Sequence, residues 1–387
     1  MKFDVQLQAA GCADGTYRIE AQGCAMASLY WADGQGPLES WTAFAHVPLD
    51  VSGRGEFHEA GGRAIPPSAS HAAACLISPD GEVRETLLAP VSSAPACPQE
   101  KRPLRIGVMS DLHLSTKPYR IRSAMRLLKE ADCILLAGDL TNDGLPEQFE
   151  LLLRCIEEEL GDVPVFAVTG NHDYPVKPLP LVYTGADDYH RFQTWLLERA
   201  CALGVACQED ESGAYEARLN GCSIFGLNAV SHFRRFVFPD GKQLDWLENG
   251  LRACTAPHRL VLCHAPLRCH NSNDRKAVNA PYLSRDKRLQ SIIEDAGSLC
   301  FVSGHTHVSI NEEESCAEHD ARRGVLYLND SCVTKTALKK SDGMHQDGEW
   351  TDGAALMLTL SEREMEIAAR GVLSKKWISR GYYRFSY

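Results

Sequence analysis

The stretch Leu104–His113, LRIGVMSDLH, couples a hydrophobic run to two polar side chains that can bind metal ions. Leu104–Met109 is mostly apolar and of strand length, a pattern typical of a β-strand buried on both faces. Asp111 and His113 follow directly after that strand. Because loops at the carboxyl ends of parallel strands form the ligand crevice, these two residues are predicted at the working edge of an α/β sheet.

The same arrangement recurs along the chain. Further apolar runs of strand length are followed by polar residues, and they occur at Cys133–Ala137, Val163–Thr169, Arg259–Cys263 and Cys300–Ser303. Between two of these runs, Pro146–Leu160 repeats apolar residues at helical spacing, and Pro146 suits the first turn of a helix. Alternating strands and helices predict an α/β fold whose largely parallel sheet is covered by helices on both sides.

Two segments depart from simple alternation and predict antiparallel hairpins. Tyr215–Phe225 contains the turn dipeptide Asn220-Gly221, and Ala354–Leu360 is followed by a second apolar run, Met365–Ala369. The sheet is therefore predicted to be mixed, or doubled into two layers.

Residues 1 to 95 differ in composition from the rest of the chain. They are rich in Gly, Ala, Ser and Pro, and short alternating stretches such as Thr16–Ala21 predict a small β-sandwich. Ser92–Pro98 is a Pro- and Ser-rich segment that is expected to be extended and exposed. We therefore predict two domains, a small all-β domain at 1–95 and a larger α/β domain at 103–387.

Composition narrows the class of protein. At 387 residues, with 44% hydrophobic and 24% charged residues, the chain is typical of a soluble globular protein of two domains. The formal net charge of -11 disfavours bulk binding to nucleic acid, although a metal cluster can still make one pocket positive. The fifteen cysteines, an odd number, are predicted to be mostly reduced thiols. Without an apolar leader or a membrane-spanning run, a cytoplasmic protein with no membrane insertion is predicted; its oligomeric state does not follow from the sequence.

Residues that can bind divalent cations follow each of the predicted buried strands. They are carboxylates, imidazoles and an amide, and they fall in the motifs Asp111-x-His113, Gly138-Asp139, Gly170-Asn171-His172-Asp173, His264 and Gly304-His305-x-His307. Each motif alone is weakly specific, since Gly-Asp and Gly-Asn are also ordinary turns and a single histidine is more often a core residue. Their joint occurrence in this order indicates a metal centre. The glycines are expected to let the chain turn sharply and to leave room beside the cations.

Taken together, the motifs resemble the full set of the calcineurin-like metallophosphoesterases, in the family's order and over roughly residues 104 to 335. The resemblance implies a two-layer β-sandwich flanked by helices, an αββα arrangement that also accommodates the predicted hairpins. It further implies two divalent or transition metal ions (Mn, Fe, Zn or Co). Their implied ligands are Asp111, His113 and His307 for one ion, Asn171, His264 and His305 for the other, and Asp139 as the bridge.

The resemblance also implies catalytic roles for the two residues after Asn171. His172 would stabilise the phosphoryl oxygens and protonate the leaving oxygen, and Asp173 would orient His172. Purple acid phosphatases, a branch with an N-terminal β-domain, have a tyrosine ligand three residues after the bridging aspartate. The residue at that position here is Asn142, which argues against their tyrosinate-iron site.

The implied enzyme is a metal-dependent phosphoester hydrolase that uses a metal-bridging hydroxide as nucleophile. The motifs are similar to those of bacterial cyclic-nucleotide and glycerophosphodiester phosphodiesterases, so a small phosphodiester is the expected substrate. The alternatives are a phosphomonoesterase or nucleotidase of the same fold, and a non-catalytic binding or scaffold member of the family. The polar loops Pro175–Asp188 and Arg268–Asn273 are either sites of substrate contact or variable surface loops.

Overall fold

The computed structural model of the chain describes residues 1–9, 12–60, 62–91, 102–177, 182–183, 186–232, 235–267, 270–271, 287–311, 316–334, 352–362 and 364–386. The predicted linker Ser92–Pro98 lies outside these residues. No helix within the described ranges is long and apolar enough to span a membrane.

The described residues before position 92 form β-structure. In chain order the strands are β1 (Lys2–Leu7), β2 (Gly15–Glu20), β3 (Met26–Ala32), β4 (Ala45–Pro48), β5 (Arg54–Glu59), β6 (His71–Ile77) and β7 (Val83–Pro90). They build two antiparallel sheets, ordered β1-β2-β5 and β4-β3-β6-β7. Alternate residues such as Tyr17, Ile19 and Leu29 point into a shared core, as the two-residue period of a half-buried strand requires.

The rest of the chain contains both strands and helices. The strands are β8 (Leu104–Met109), β9 (Cys133–Leu136), β10 (Val165–Ala167), β11 (Val176–Lys177), β12 (Val182–Tyr183), β13 (Ala206–Glu209), β14 (Tyr215–Leu219), β15 (Cys222–Leu227), β16 (Val230–His232), β17 (Arg235–Val237), β18 (His258–Cys263), β19 (Leu299–Ser303), β20 (Ala317–Asp320), β21 (Val325–Asn329), β22 (Ala354–Leu360), β23 (Glu364–Gly371) and β24 (Trp377–Ser386). The helices are α1 (Tyr119–Leu128), α2 (Pro146–Leu160), α3 (Asp187–Ala202), α4 (Lys242–Ala253) and α5 (Lys287–Ala296), with a 3-10 turn at Asn171–Asp173.

Two mixed sheets pack face to face in this part of the chain. One has the order β10-β9-β8-β22-β23-β24 and the other the order β13-β14-β15-β18-β19-β21-β20. Apolar side chains from both sheets, such as Ile106, Leu135 and Leu262, form the core between them. Helices α1 to α3 cover the outer face of the first sheet, and α4 and α5 cover that of the second. The predicted αββα sandwich with an all-β region in front is confirmed.

Helix α2 forms over the residues that the sequence predicted. Pro146 lies in its first turn, where the missing N–H costs no hydrogen bond, and the side chain of Gln148 accepts one from the backbone N–H of Asp143 (3.0 Å). Phe149 and Leu152 are buried on its inner face. Both predicted hairpins are also present, as the antiparallel pairs β14-β15 and β22-β23.

The N-terminal β-region packs against the last two strands of the six-stranded sheet. The ring centroid of Trp41 lies 6.1 Å from that of Trp377 and 5.4 Å from that of Tyr382. The backbone N–H of Thr42 donates to the Trp377 carbonyl (3.0 Å), and Ala368 belongs to the N-terminal core. The division into domains at 1–95 and 103–387 stays a prediction, and this packing indicates that the second part alone would expose apolar surface.

Candidate metal centre

The loops after β8, β9 and β10 bring the first three motifs to one edge of the six-stranded sheet. The His113 N–H donates to the Asp139 carbonyl (3.0 Å), and the Leu114 N–H donates to the Leu140 carbonyl (3.1 Å). Asp111, His113 and Asp139 have left-handed φ values of 53°, 42° and 49°. Left-handed backbone costs a non-glycine residue roughly 1–3 kcal/mol, and such strain collects at functional sites. The hydrogen bonds between the loops therefore hold a conformation that these residues disfavour on their own.

Histidines from the seven-stranded sheet reach the same place. His264 follows β18, while His305 and His307 follow β19 with left-handed φ values of 70° and 51°. The Gly304 N–H donates to the His264 carbonyl (2.9 Å), which ties the two loops together. At Gly138, φ is 88° and an added Cβ would lie 2.5 Å from Nδ1 of His264. The predicted need for glycine beside the centre therefore has a steric cause at this position.

The structure assembles the predicted ligands into two groups that share one carboxylate. In the first, named the Asp111 group, donor atoms lie within 4.8 Å of one another on Asp111, His113, Asp139 and His307. In the second, named the His264 group, donor atoms lie equally close on Asp139, His264 and His305. Asn171, the predicted amide ligand of the His264 group, is the first residue of the 3-10 turn. The backbone N–H of the next residue, His172, donates to Asp139 Oδ1 (2.8 Å). Asp139 therefore lies between the two groups.

Three buried polar atoms in and beside the His264 group fit a bound cation. Asn171 Oδ1, His264 Nε2 and His305 Nε2 are shielded from solvent and have no hydrogen-bond partner within the described ranges. His264 Nε2 also lies 3.4 Å from Asp139 Oδ2. A buried polar atom left unpaired costs roughly 1–3 kcal/mol. Imidazole nitrogens and an amide oxygen beside a carboxylate are donors that divalent transition metals accept.

The Asp111 group is joined by contacts among its own members. His307 Nε2 lies 2.9 Å from Asp111 Oδ1 and 3.1 Å from His113 Nε2. The fully buried Asp111 carboxylate also accepts hydrogen bonds from the His305 N–H (2.8 Å) and from the Ser110 hydroxyl. These contacts bring together the atoms that would bind a second cation.

Burial and neighbouring charge divide the four predicted histidine ligands into a pair with lowered pKa and a pair with raised pKa. Burial lowers the pKa of His113 and of His305 to about 4, so both rings are neutral near pH 7 and offer a lone pair. Burial alone would also lower the pKa of His264, but the Asp139 carboxylate outweighs it and raises this pKa to about 9. The carboxylate beside His307 similarly outweighs burial and raises that pKa to about 11. Metal binding would therefore release protons from the second pair.

His172 and Asp173 have partners other than those predicted. The buried Asp173 carboxylate accepts hydrogen bonds from the backbone N–H groups of Thr141 (2.9 Å) and Gly170 (2.8 Å). The His172 Nδ1–H instead donates to the main-chain carbonyl of Asn142 (2.8 Å), which leaves Nε2 available. The 3-10 turn directs the Asp173 side chain back to the loop backbone. The orientation of His172 by Asp173 stays a prediction, and any such effect would act through this backbone. A main-chain carbonyl has no signature in the sequence.

The predicted substrate loops are only partly described. In Arg268–Asn273, the His270 ring stacks on the Tyr327 ring at 3.7 Å, and its Nδ1 lies 3.0 Å from Glu318 Oε1. These contacts attach His270 itself to β20 and β21. That other residues of this loop, or of Pro175–Asp188, contact substrate stays a prediction.

Two buried asparagines behind the ligand loops were not predicted. Asn228 Oδ1 accepts a hydrogen bond from the Thr169 N–H (3.0 Å), and Asn329 Nδ2 donates to the Gly304 carbonyl (2.6 Å). Each lies at or directly after the carboxyl end of a strand whose residues are all buried. The signal that identified the ligands, a polar residue after a buried strand, could therefore have identified them too.

The chain is similar in sequence to known phosphoesterases. The family model described as Calcineurin-like phosphoesterase matches residues 104–309, more than half of the chain. A probable cyclic nucleotide phosphodiesterase of Synechococcus sp. is 29% identical over 176 residues, which cover 42% of this chain and only 59% of that protein. A 3',5'-cyclic-nucleotide phosphodiesterase of Nostoc sp. is 20% identical over 278 residues, which cover 65% of this chain and 92% of that protein.

A solved structure supports the fold. The purple acid phosphatase from yellow lupin (Lupinus luteus) seeds superposes with a TM-score of 0.52 at 13% identity, covering 99% of this chain and 74% of that one. At this identity the likeness concerns the fold alone, and its coverage includes the N-terminal β-region. The span matched by the family model contains every motif from Asp111 to His307. The chain therefore belongs to the calcineurin-like phosphoesterase family.

Proposed function

We propose that the chain is a dinuclear phosphodiesterase that hydrolyses small phosphodiesters, with cyclic nucleotides as the first candidates. The observation that carries the metal centre is the set of buried polar atoms on Asn171, His264 and His305, which have no hydrogen-bond partner in the described part of the chain. The Asp111 group shares Asp139 with them and would hold the second ion. Two divalent cations supply Lewis-acid charge to a phosphoryl oxygen and an activated water.

Two observations support a small diester as the substrate. Both curated relatives are named as cyclic nucleotide phosphodiesterases, and one of them is matched over 92% of its length. The side chains of His113 and His307 are 16% and 22% exposed, so the Asp111 group forms the open side of the centre. A phosphate group can approach from that side, while His264 is fully buried.

His172 is placed to act on the leaving group. Its ring centroid lies 4.6 Å from that of His113 in an edge-to-face arrangement, at the open side of the centre. Because Nδ1–H is engaged by the Asn142 carbonyl, Nε2 is the nitrogen that can carry a proton to the departing oxygen. In this proposal the chain orients the phosphodiester and protonates the leaving alkoxide at His172 Nε2.

The test is turnover by purified protein reconstituted with Mn²⁺. Bis(p-nitrophenyl) phosphate is the general probe, followed by a panel of cyclic nucleotides, glycerophosphodiesters and nucleotides. We expect hydrolysis of the diesters, its loss on addition of a chelator, and its loss in Asp139→Asn. The matched control is Glu130→Gln, which neutralises a carboxylate that is 68% exposed and outside both groups, and which should keep full activity.

Each alternative gives a distinct result. Hydrolysis that survives Asp139→Asn comes from a contaminating enzyme and removes the support for this centre. A preference for monoesters overturns the phosphodiesterase assignment in favour of a phosphomonoesterase or nucleotidase. Two bound cations without hydrolysis of any ester in the panel would assign the chain to the non-catalytic members.

A further inference from the structure

Asn228 is a buried side chain that links the two sheets at the edge where the ligands meet. It follows β15 of the seven-stranded sheet and is 3% exposed. Its Oδ1 accepts a hydrogen bond from the Thr169 N–H (3.0 Å), just after β10 of the other sheet, and lies 3.0 Å from the Tyr189 hydroxyl. Its Nδ2 donates to Gln193 Oε1 (2.7 Å) and to the Gly213 carbonyl (2.7 Å). The amide is therefore fully paired and has one orientation.

The main chain of Asn228 is fixed as well. Its N–H donates to Oε1 of Gln243 (2.8 Å), and its carbonyl accepts from Nε2 of the same side chain (2.9 Å). Gln243 lies in the first turn of α4 and is buried. A fully satisfied buried polar network of this kind rigidifies the segment that carries it. Asn228 is therefore a fixed point to which the loop of the opposite sheet is tied.

That loop carries Asn171. The N–H of Gly170, which lies between Thr169 and Asn171, donates to the Asp173 carboxylate (2.8 Å). Because Asp173 belongs to the same turn, this hydrogen bond cannot fix the position of the loop relative to the seven-stranded sheet. The Thr169 N–H is held by Asn228 across the sheets. Because Asn171 Oδ1 has no hydrogen-bond partner among the described residues, its position follows from that of the backbone.

We propose that Asn228 is the positioning residue of the His264 group, which sets Asn171 Oδ1 against the cation that His264 and His305 would hold. This inference rests on the proposed dinuclear function and adds a residue that is neither a ligand nor in contact with substrate. Loss of a group that positions a metal ligand typically weakens metal affinity by about 10- to 100-fold.

Asn329 provides an internal comparison. It is 1% exposed, its Nδ2 donates to the Gly304 carbonyl (2.6 Å), and its Oδ1 accepts a hydrogen bond from the Thr306 hydroxyl (2.8 Å). The loop that it holds carries His305 of one group and His307 of the other. A change at Asn329 is therefore expected to weaken both groups.

The experiment is a Mn²⁺ titration of metal-free full-length protein that resolves two dissociation constants, with His264→Ala identifying which one belongs to the His264 group. Asn228→Leu removes the acceptor for the Thr169 N–H and keeps the branched shape of the side chain, while the Thr169 hydroxyl keeps its contact with the Ala229 carbonyl (3.5 Å). We expect the dissociation constant of the His264 group to rise at least about tenfold while the other is unchanged. At fixed Mn²⁺, kcat should fall and recover as Mn²⁺ is raised, with the KM for bis(p-nitrophenyl) phosphate unchanged. Asn329→Leu should raise both dissociation constants.

Three further variants separate positioning from general stability. Tyr189→Phe removes a hydroxyl from the same network but keeps the bond from Thr169 to Asn228, so it should lower the melting temperature and leave both dissociation constants unchanged. Asn228→Asp retains the acceptor for the Thr169 N–H and should keep more affinity than Asn228→Leu. Asn228→Ser, which leaves room for water, repeats the test if the leucine variant does not fold.

The outcomes are distinguishable from those of the proposed function. Wild-type affinity for both cations in Asn228→Leu or Asn228→Ser overturns this inference and leaves the dinuclear centre intact. Equal weakening of both cations in these variants overturns it as well, since the effect would then be general. Wild-type protein that binds no cation at all overturns the proposed function and this inference together.

Discussion

The Asp111 group and the His264 group contain similar side chains in different surroundings. In the first, His307 Nε2 lies 2.9 Å from Asp111 Oδ1, and the imidazoles are partly exposed. In the second, the acceptors of His264 and His305 are buried and lack hydrogen-bond partners among the described residues. The first group is joined by hydrogen bonds of its own, whereas the second has only the longer contact of His264 Nε2 with Asp139 (3.4 Å). We infer that the His264 group is preorganised for a cation and that the Asp111 group must rearrange to bind one.

Packing explains this difference. The buried Phe236 ring lies 5.6 Å from that of His264 and 4.9 Å from that of His305, so an apolar ring packs beside both imidazoles. The rings that lie against His113 are instead the imidazoles of His172 and His307, at 4.6 and 5.0 Å. One half of the centre is thus shaped for holding a cation tightly, and the other half for meeting solvent and substrate.

Asp139→Ala should have the largest effect, because this carboxylate is shared by the two groups. We expect the loss of both cations and a fall in turnover of roughly 10³-fold or more, since the activated water and the Lewis-acid charge are lost together. Metal content per chain and turnover of bis(p-nitrophenyl) phosphate measure it. Asp143→Ala, a change of the same kind outside both groups, should keep both cations. A full equivalent of metal retained by Asp139→Ala would show that the groups are independent.

His172→Ala tests the open side of the centre alone. Both cations should remain, and turnover should fall by about 10²- to 10³-fold, because a general acid and not a ligand is lost. The fall should be larger for substrates with a poor leaving group than for p-nitrophenyl esters, which need little protonation. Unchanged turnover, or loss of a metal equivalent, would remove His172 from this role.

In metal-free protein, the contrast between the two groups should appear as a difference in the free energy of unfolding between variants of each group. In His307→Leu, the buried Asp111 carboxylate loses its charged partner, which should lower the free energy of unfolding by about 3 kcal/mol. His305→Leu removes an unpaired nitrogen and keeps an apolar contact with Phe236, so it should cost about 1 kcal/mol or less. Urea unfolding of both chelator-treated variants measures this difference. Equal losses would show that the two groups are equally strained without metal.

Parts of the fold with strong local patterns were predictable from the sequence. The apolar residues Phe149 and Leu152 after Pro146 predicted helix α2, and the dipeptide Asn220-Gly221 predicted a hairpin, because each pattern lies within one short segment. The strand order, such as β8 beside β22, was not predictable. Burial is non-directional, so an apolar strand is equally compatible with several neighbours. The packing of Trp41 on Trp377 has the same long-range character.

The candidate site was predictable in its side chains and not in its main chain. The structure brings the predicted donor residues together because they follow strands that end at one edge. The left-handed conformation of Asp111 and Asp139, and the Asn142 carbonyl that holds His172, have no side-chain signature. Asp173 illustrates the same limit, since the turn geometry of the loop decides which backbone N–H groups donate to its carboxylate.

The smallest expected effect is the order in which the cations bind. A cation at the His264 group displaces only the longer contact of His264 Nε2 with Asp139 (3.4 Å), whereas one at the Asp111 group must displace His307 from Asp111 (2.9 Å). One such hydrogen bond to a charged group corresponds to roughly 1.5 kcal/mol, so the first equivalent should bind the His264 group about tenfold more tightly. A Co²⁺ titration followed by visible absorbance can resolve the two steps. His113→Ala should keep the tighter step and His264→Ala should lose it; the reverse pattern would mean that the exposed half of the centre, and not the buried half, is the preorganised one.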